Sequence, residues 1–167
     1  MAFNVAIRPV DLVEAEAVYA MRRQPLVQRL TTAMPEDTLE QTERFQADLD
    51  PNDVVVRSVI AGLPVGMAGL DRGSGKSRQM ARLDIKVHDD WHGQGLERSL
   101  MTHMLHEADE VLNLDRVQLD VMADNEWAIR MYERLGFEIE GMMRAAVRRP
   151  DGDVDVLVMG RLRSEIV

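Results

Sequence analysis

Two strand-then-helix units follow one another between Met80 and Phe137, and their order demands a sheet with helices laid against it. Met80 to Val87 alternates, with Leu83, Ile85 and Val87 on one face. The apolar spacing then lengthens to a helical period from about Gln94 to Leu112. Arg116 to Val121 returns as strand, Glu126 to Arg134 as a short helix, and Phe137 to Arg149 mostly as strand. Pro150-Asp151-Gly152-Asp153 is a hairpin turn, and Val154, Val156 and Val158 alternate beyond it.

The first half supplies further strands and two helical stretches. Val5 and Ile7 alternate as a short strand, and Asp11 with Glu14 three residues on suggests a capping box. Leu12, Ala15, Tyr19 and Arg22 share a face of the helix that follows, with Val18 beside them. Pro25 interrupts it, and Leu39 to Leu49 is helical again. Val54 to Ile60 and Val65 to Leu70 read as partner strands around the Ala61-Gly62 turn. The sum is an α/β (α+β) mixed sheet with helices on its faces. No repeat or linker divides the 167 residues, so one domain over 1–167 is expected, large enough to bury about two-thirds of its unfolded surface.

Composition removes several kinds of chemistry. With no cysteine there is no disulfide, no thiolate zinc site and no cysteine nucleophile. Twenty basic and 29 acidic residues give a net charge of −9, which argues against nucleic acid as a partner. No apolar run suits a membrane span, and Met1 to Val10 has no basic leader or apolar signal core, so a cytoplasmic protein is expected. His103, His106 and Glu107 have helical spacing that would suit a metal. Leu100, Met104, Ala108 and Val111 claim the buried face of that helix, which turns those three toward solvent, and no metal is expected.

Chemistry concentrates after the third full-length strand, in Val87-His88-Asp89-Asp90-Trp91-His92-Gly93-Gln94-Gly95-Leu96-Glu97-Arg98. A strand feeds a glycine-containing loop that opens into a helix. The first amides of a helix lack internal partners and carry partial positive charge, so the loop suits a pyrophosphate. A plain strand-to-helix turn would use the same glycines. Gly75-Lys76-Ser77 looks like the end of a nucleotide P-loop, but Leu70 stands where the first glycine is required and a strand follows.

These residues resemble the acyl-CoA motif of the GNAT superfamily of N-acetyltransferases, Q/R-x-x-G-x-G/A. His92 falls on its first position, Gly95 on the central glycine and Glu97 on the final small residue. Only the central glycine matches. Glu97 brings a carboxylate close to where a pyrophosphate would lie, unless it points outward or Arg98 offsets it. Downstream, Asn125, Ala128, Tyr132, Gly136 and Phe137 match every anchor of the family's second signature, N-x-x-A-x-x-x-Y-x-x-x-G-F. The segments from Phe137 to Met159 resemble the bacterial L-amino acid N-acyltransferase branch.

The resemblance implies the GNAT fold: a mostly antiparallel sheet with one splayed parallel pair and helices on both faces. It implies acetyl-CoA as cosubstrate and direct transfer of the acetyl group to an amine. The backbone of Ile85, Lys86 and Val87 would pair with the pantetheine arm and polarise the thioester. His92, Gly93, Gln94, Gly95, Leu96, Glu97 and Arg98 would lie at the pyrophosphate, Asn125 at the cofactor arm, and Tyr132 would protonate the departing thiolate. For the base, Asp120 stands where related peptide acetyltransferases carry an acid, with Asp84 or an ordered water as competitors. The acceptor implied is a small primary amine such as an amino acid; a protein N-terminus, a polyamine, or a non-catalytic acyl-CoA sensor are the alternatives. Pro25 to Pro35 and part of Arg144 to Asp153 are the expected substrate loops, with Arg144, Arg148 or Arg149 available for an acceptor carboxylate or simply as surface charge. Similar proteins often form a homodimer, and the C-terminal strands offer a pairing edge.

Overall fold

A computed structural model of the chain describes residues 5–32 and 37–166, except for the side chain of Leu12. Seven strands make one sheet: β1 (Ala6–Pro9), β2 (Val54–Ile60), β3 (Leu63–Arg72), β4 (Met80–Val87), β5 (Arg116–Met122), β6 (Glu138–Arg149) and β7 (Gly152–Leu162). Their order across the sheet is β1-β2-β3-β4-β5-β7-β6. Every neighbouring pair is antiparallel except β4 and β5.

Helices cover both faces. Along β3, Met67 packs with Val18 and Met21 of α1 (Ala15–Arg22) and Val27 of α2 (Pro25–Leu30). Ala68 and Leu70 belong to the opposite, larger core, as the two-residue period of a strand requires. There Leu96, Leu100, Met101 and Met104 of α4 (Leu96–His106) and Ala128, Met131 and Tyr132 of α5 (Glu126–Arg134) meet Leu83, Val87, Leu119 and Val121. The remaining helix, α3 (Leu39–Ala47), begins at a capping box built by Thr38 and Gln41.

Several expectations need revising. Asp11 does cap, accepting from the Val13 amide at 3.2 Å. Glu14 does not close a capping box; it bridges Arg8 and the fully buried Arg57, 2.8 Å from Arg57 Nη1. The buried face of α1 is Ala15, Val18 and Met21, while Tyr19 and Arg22 are half-buried. Val111 is exposed, because α4 runs into a π-helical turn over Glu107–Val111 with Leu112 N–H donating to Glu107 O at 2.9 Å. The extra residue in that turn rotates the buried face onward, and Leu114 is buried instead. After the buried Phe137 the chain runs to the surface: β6 is an edge strand of the sheet and is exposed nearly throughout.

The Glu14 bridge carries a large share of the β1–β2–α1 corner. Burial alone would raise the Glu14 carboxyl, and the hydrogen bonds from Arg8 and Arg57 outweigh it and hold its pKa below the usual value. Removing one partner of a buried pair strands the other charge, so Glu14→Ala is expected to cost about 3 kcal/mol or more in thermal or denaturant unfolding. Because the folded pKa is depressed, the bridge contributes fully above the ordinary carboxylate range and is lost as pH falls through the folded value. Wild type and variant should therefore converge in stability toward acid pH.

Candidate active site

The site follows from where β4 and β5 stop pairing. Their register runs Met80↔Arg116, Ala81↔Val117 and Arg82↔Gln118 and goes no further. Beyond it Leu83 to Val87 and Leu119 to Met122 diverge, and a cleft of about 410 Å³ lies between them. Ile85, Lys86, Val87, His92, Glu97, Asp120, Asn125 and Tyr132 all line it. Parted strands leave backbone donors and acceptors on their facing edges, which is a platform for an extended amide-bearing chain.

Alternation sorts the side chains to two sides. Leu83 and Val87 are buried under α4, so Asp84 and Lys86 belong to the opposite face, where they pair with each other. On β5, Leu119 and Val121 are core, and Asp120 faces the other way. One Asp120 oxygen is paired with Arg82; the other, Oδ1, is buried with no partner among the described residues. Asp84 is the more open acid, with its side chain 60% exposed.

Tyr132 comes from α5. Asn125 starts that helix by accepting from the Ala128 amide at 3.3 Å. Gly136 ends it at φ 91°, with Gly136 N–H donating to Glu133 O and Phe137 N–H to Tyr132 O, both at 3.1 Å. These caps fix the helix at both ends and seat Tyr132, 6% exposed, against Phe137 with ring centroids 6.0 Å apart. Burial first, then the negative charges of Asp84 and Glu97, push the phenol well above its ordinary value, so it stays protonated.

The phosphate-loop candidates divide. Gly93 and Gly95 have φ of 72° and 87°, and a Cβ at either would meet nothing within 4 Å. The glycines are there for backbone conformation, which turns the chain sharply into α4. Gln94 is exposed and its side-chain amide donates to Asp90 O at 2.6 Å. Leu96 is core, leaving only its backbone for a ligand, and Arg98 is exposed. Glu97 does not point outward. It is 4% exposed, and its neighbour is His92 and not Arg98: Oε1 lies 2.7 Å from His92 Nδ1. The loop thus presents open backbone at Gly93 and Gly95 beside one buried acid, Glu97.

The expected substrate loops flank the opening. Val27, Leu30, Thr31 and Thr32 line one side, and Met143, Ala146 and Val147 the other; residues 33–35 lie outside the described residues. Arg149 is not free for an acceptor carboxylate. Its side chain is 7% exposed and reaches Asp124 Oδ2 at 2.5 Å and Arg29 O at 2.6 Å, tying β6 to the end of α2 and to the β5–α5 turn. Arg148 pairs with Asp153 at 3.1 Å on the surface. Arg144 sits in a bulge of β6, where pairing with β7 shifts between Met143 and Val147. Trp127 and Met131 also line the cleft and were not foreseen. Their only sequence signal is their place on α5, two and six residues beyond the Asn125 cap.

Residues 16–137 match the model of the Acetyltransferase (GNAT) family. The chain belongs to that family. It is 30% identical over 161 residues to the L-amino acid N-acetyltransferase AaaT of Escherichia coli (strain K12), covering 96% of this chain and 99% of that one. Two solved structures share the fold. One is the spermidine N-acetyltransferase of Vibrio cholerae in complex with CoA and spermine, with a TM-score of 0.84 at 20% identity over 96% of each chain. The other is the ribosomal-protein-S18-alanine N-acetyltransferase of Escherichia coli, with a TM-score of 0.77 at 24% identity over 98% of this chain and 96% of that one. The protein is an N-acetyltransferase, and its family takes the acetyl group from acetyl-CoA. Among the described residues no helix of the acetyltransferase is long and apolar enough to cross a membrane.

Proposed function

We propose that this acetyltransferase moves the acetyl group of acetyl-CoA to the primary amine of a small molecule, an amino acid or a related amine. The observation that carries this is the cleft between parted β4 and β5, which holds a buried, protonated Tyr132 and a buried Asp120 oxygen. The likeness to AaaT along nearly the whole of both chains supports the amino-acid class of acceptor.

Acetyl-CoA supplies the activated thioester; the protein supplies everything else. The loop from His92 to Arg98 holds the diphosphate through its backbone, and the edges of Ile85, Lys86 and Val87 with Asn125 hold the arm. Backbone N–H groups of β4 steady the charge that grows on the thioester oxygen. Asp120 takes the proton that a substrate ammonium must lose before its nitrogen can form the new C–N bond. Tyr132 gives its proton to the sulfur as the C–S bond breaks, and the second proton that the nitrogen sheds as the amide forms returns to the phenolate through solvent. No acyl-enzyme is needed, in keeping with a chain that has no cysteine.

The acceptor half of the cleft favours an uncharged side chain. Asp84 is already paired with Lys86, and the unpaired oxygen of Asp120 is taken up by the reacting amine, so neither acid is left for the second ammonium of a polyamine. A homodimer through β6 is part of the same proposal: this edge strand exposes Ile139, Met142 and Met143. The test is calorimetric titration with acetyl-CoA, followed by a thiol-release assay over amino acids, polyamines and peptides. Micromolar binding with turnover on amino acids is the expected result. Turnover on polyamines or peptides alone would overturn the acceptor class.

A further inference from the structure

The loop after β4 already contains an anion of the protein's own. Glu97, in the first turn of the eleven-residue α4, is buried in the cleft. Its Oε1 meets His92 Nδ1 at 2.7 Å and accepts a long hydrogen bond from Gly93 N–H at 3.4 Å. Its Oε2 is buried with no partner among the described residues, and so is His92 Nε2. A carboxylate in this position answers the loop amides and the helix dipole, as a bound phosphate does.

His92 is what makes the arrangement tolerable. The hydrogen bond that the imidazole donates to Glu97 raises its pKa against the opposing effect of burial, and the charges of Glu97 and Asp89 act in the same direction. The other charged groups around the cleft are occupied or distant from this role. Asp84 and Lys86 on β4 pair with each other, and Asp120 on β5 pairs with Arg82. Tyr132 on α5 carries no charge and is itself held protonated partly by Glu97. Arg98 is exposed beside the loop.

We propose that Glu97 sets the affinity for the acyl donor: its carboxylate occupies the phosphate loop in place of a diphosphate ester, and protonated His92 is the counter-cation that lets the two anions share the site. This rests on reading the cleft as the acetyl-CoA site. With His92 protonated the pair is neutral overall, and an incoming diphosphate meets a dipole. Once His92 loses its proton, the carboxylate stands alone against a ligand of the same sign. Donor binding therefore weakens as pH rises through the raised titration of His92.

The test is calorimetric titration of free CoA, from mildly acid to mildly alkaline pH, into wild type, Glu97→Gln and Glu97→Ala. Both variants should bind about tenfold tighter than wild type at alkaline pH, with a flatter pH dependence. By NMR, the His92 imidazole should titrate lower in Glu97→Gln than in wild type. Tight binding by the variants where wild type binds feebly would support the proposal most strongly. Unchanged or weaker binding by both variants, with wild type still binding, would overturn it and leave the acetyl-CoA reading standing. No binding by any of the three proteins would bring down that reading, and this inference with it.

Discussion

Tyr132→Phe is expected to lower kcat by about 100-fold or more while leaving CoA affinity nearly unchanged, because general-acid assistance contributes on that scale. The change removes one oxygen. Packing against Phe137 and the helix caps at Asn125 and Gly136 do not involve the hydroxyl, so the fold should survive. Burial and the nearby carboxylates hold the phenol protonated across the whole working range, which keeps the acid loaded. Its raised pKa makes it a weaker acid than a free phenol. Steady-state kinetics and calorimetry on the same preparations separate the two effects. An unchanged kcat would remove Tyr132 from the chemistry; equal losses in kcat and CoA affinity would make it a binding residue.

The resemblance to the family's second signature singles out Tyr132, and the helix that carries it is legible in the residues themselves. Asn125, Tyr132 and Gly136 carry local instructions: a side-chain cap, a helical face two turns on, and a left-handed terminator. Such signals act within a few residues of themselves, and the structure contains all three. The sheet was legible for a similar reason: β-branched content marks β2, the Ala61-Gly62 turn leads into its partner β3, and a two-residue period marks β4 and β7. What lay beyond reach depended on partners far along the chain. Glu14 has a capping spacing, but Arg57, 43 residues away, claims its carboxylate. Arg149 looks like a free cation, yet it closes onto Asp124 and Arg29. The π-helical turn that exposes Val111 has no signature among the residues that form it.

The His92–Glu97 pair lies between these cases. Glu97 was visible as a misfit in the motif, but whether it faced solvent or the cleft depended on the rotation of the first turn of α4. Leu96, Leu100 and Met101 are the apolar anchors that set that rotation. Once they are buried, Glu97 is carried into the cleft, where its carboxylate needs a donor. Only the folded loop reveals that the donor is the residue at the other end of the same motif.

Asp120→Asn is expected to reduce kcat/KM by about 100-fold near neutral pH and to recover much of that loss as the pH approaches the pKa of the substrate amine. The argument turns on which step the carboxylate serves. If it removes a proton from the ammonium, solvent can do the same work once the pH is high enough, and the variant then needs no base. Arg82, left without its partner, is 55% exposed, so water covers its charge and little stability is lost. Asp84→Asn is the control, because that carboxylate is more exposed and is already engaged by Lys86; its activity should change far less. A loss in Asp120→Asn that is uniform across pH would mean that Asp120 positions the acceptor or Arg82 instead of moving a proton. A larger loss in Asp84→Asn, with alkaline recovery, would transfer the role to the neighbouring strand. Either result is informative because the two acids lie on the same side of the sheet, on the two strands that part to form the cleft, and differ mainly in whether an oxygen is buried and unpaired. That difference in pairing, more than distance along the sequence, is the physical reason to expect Asp120 to act.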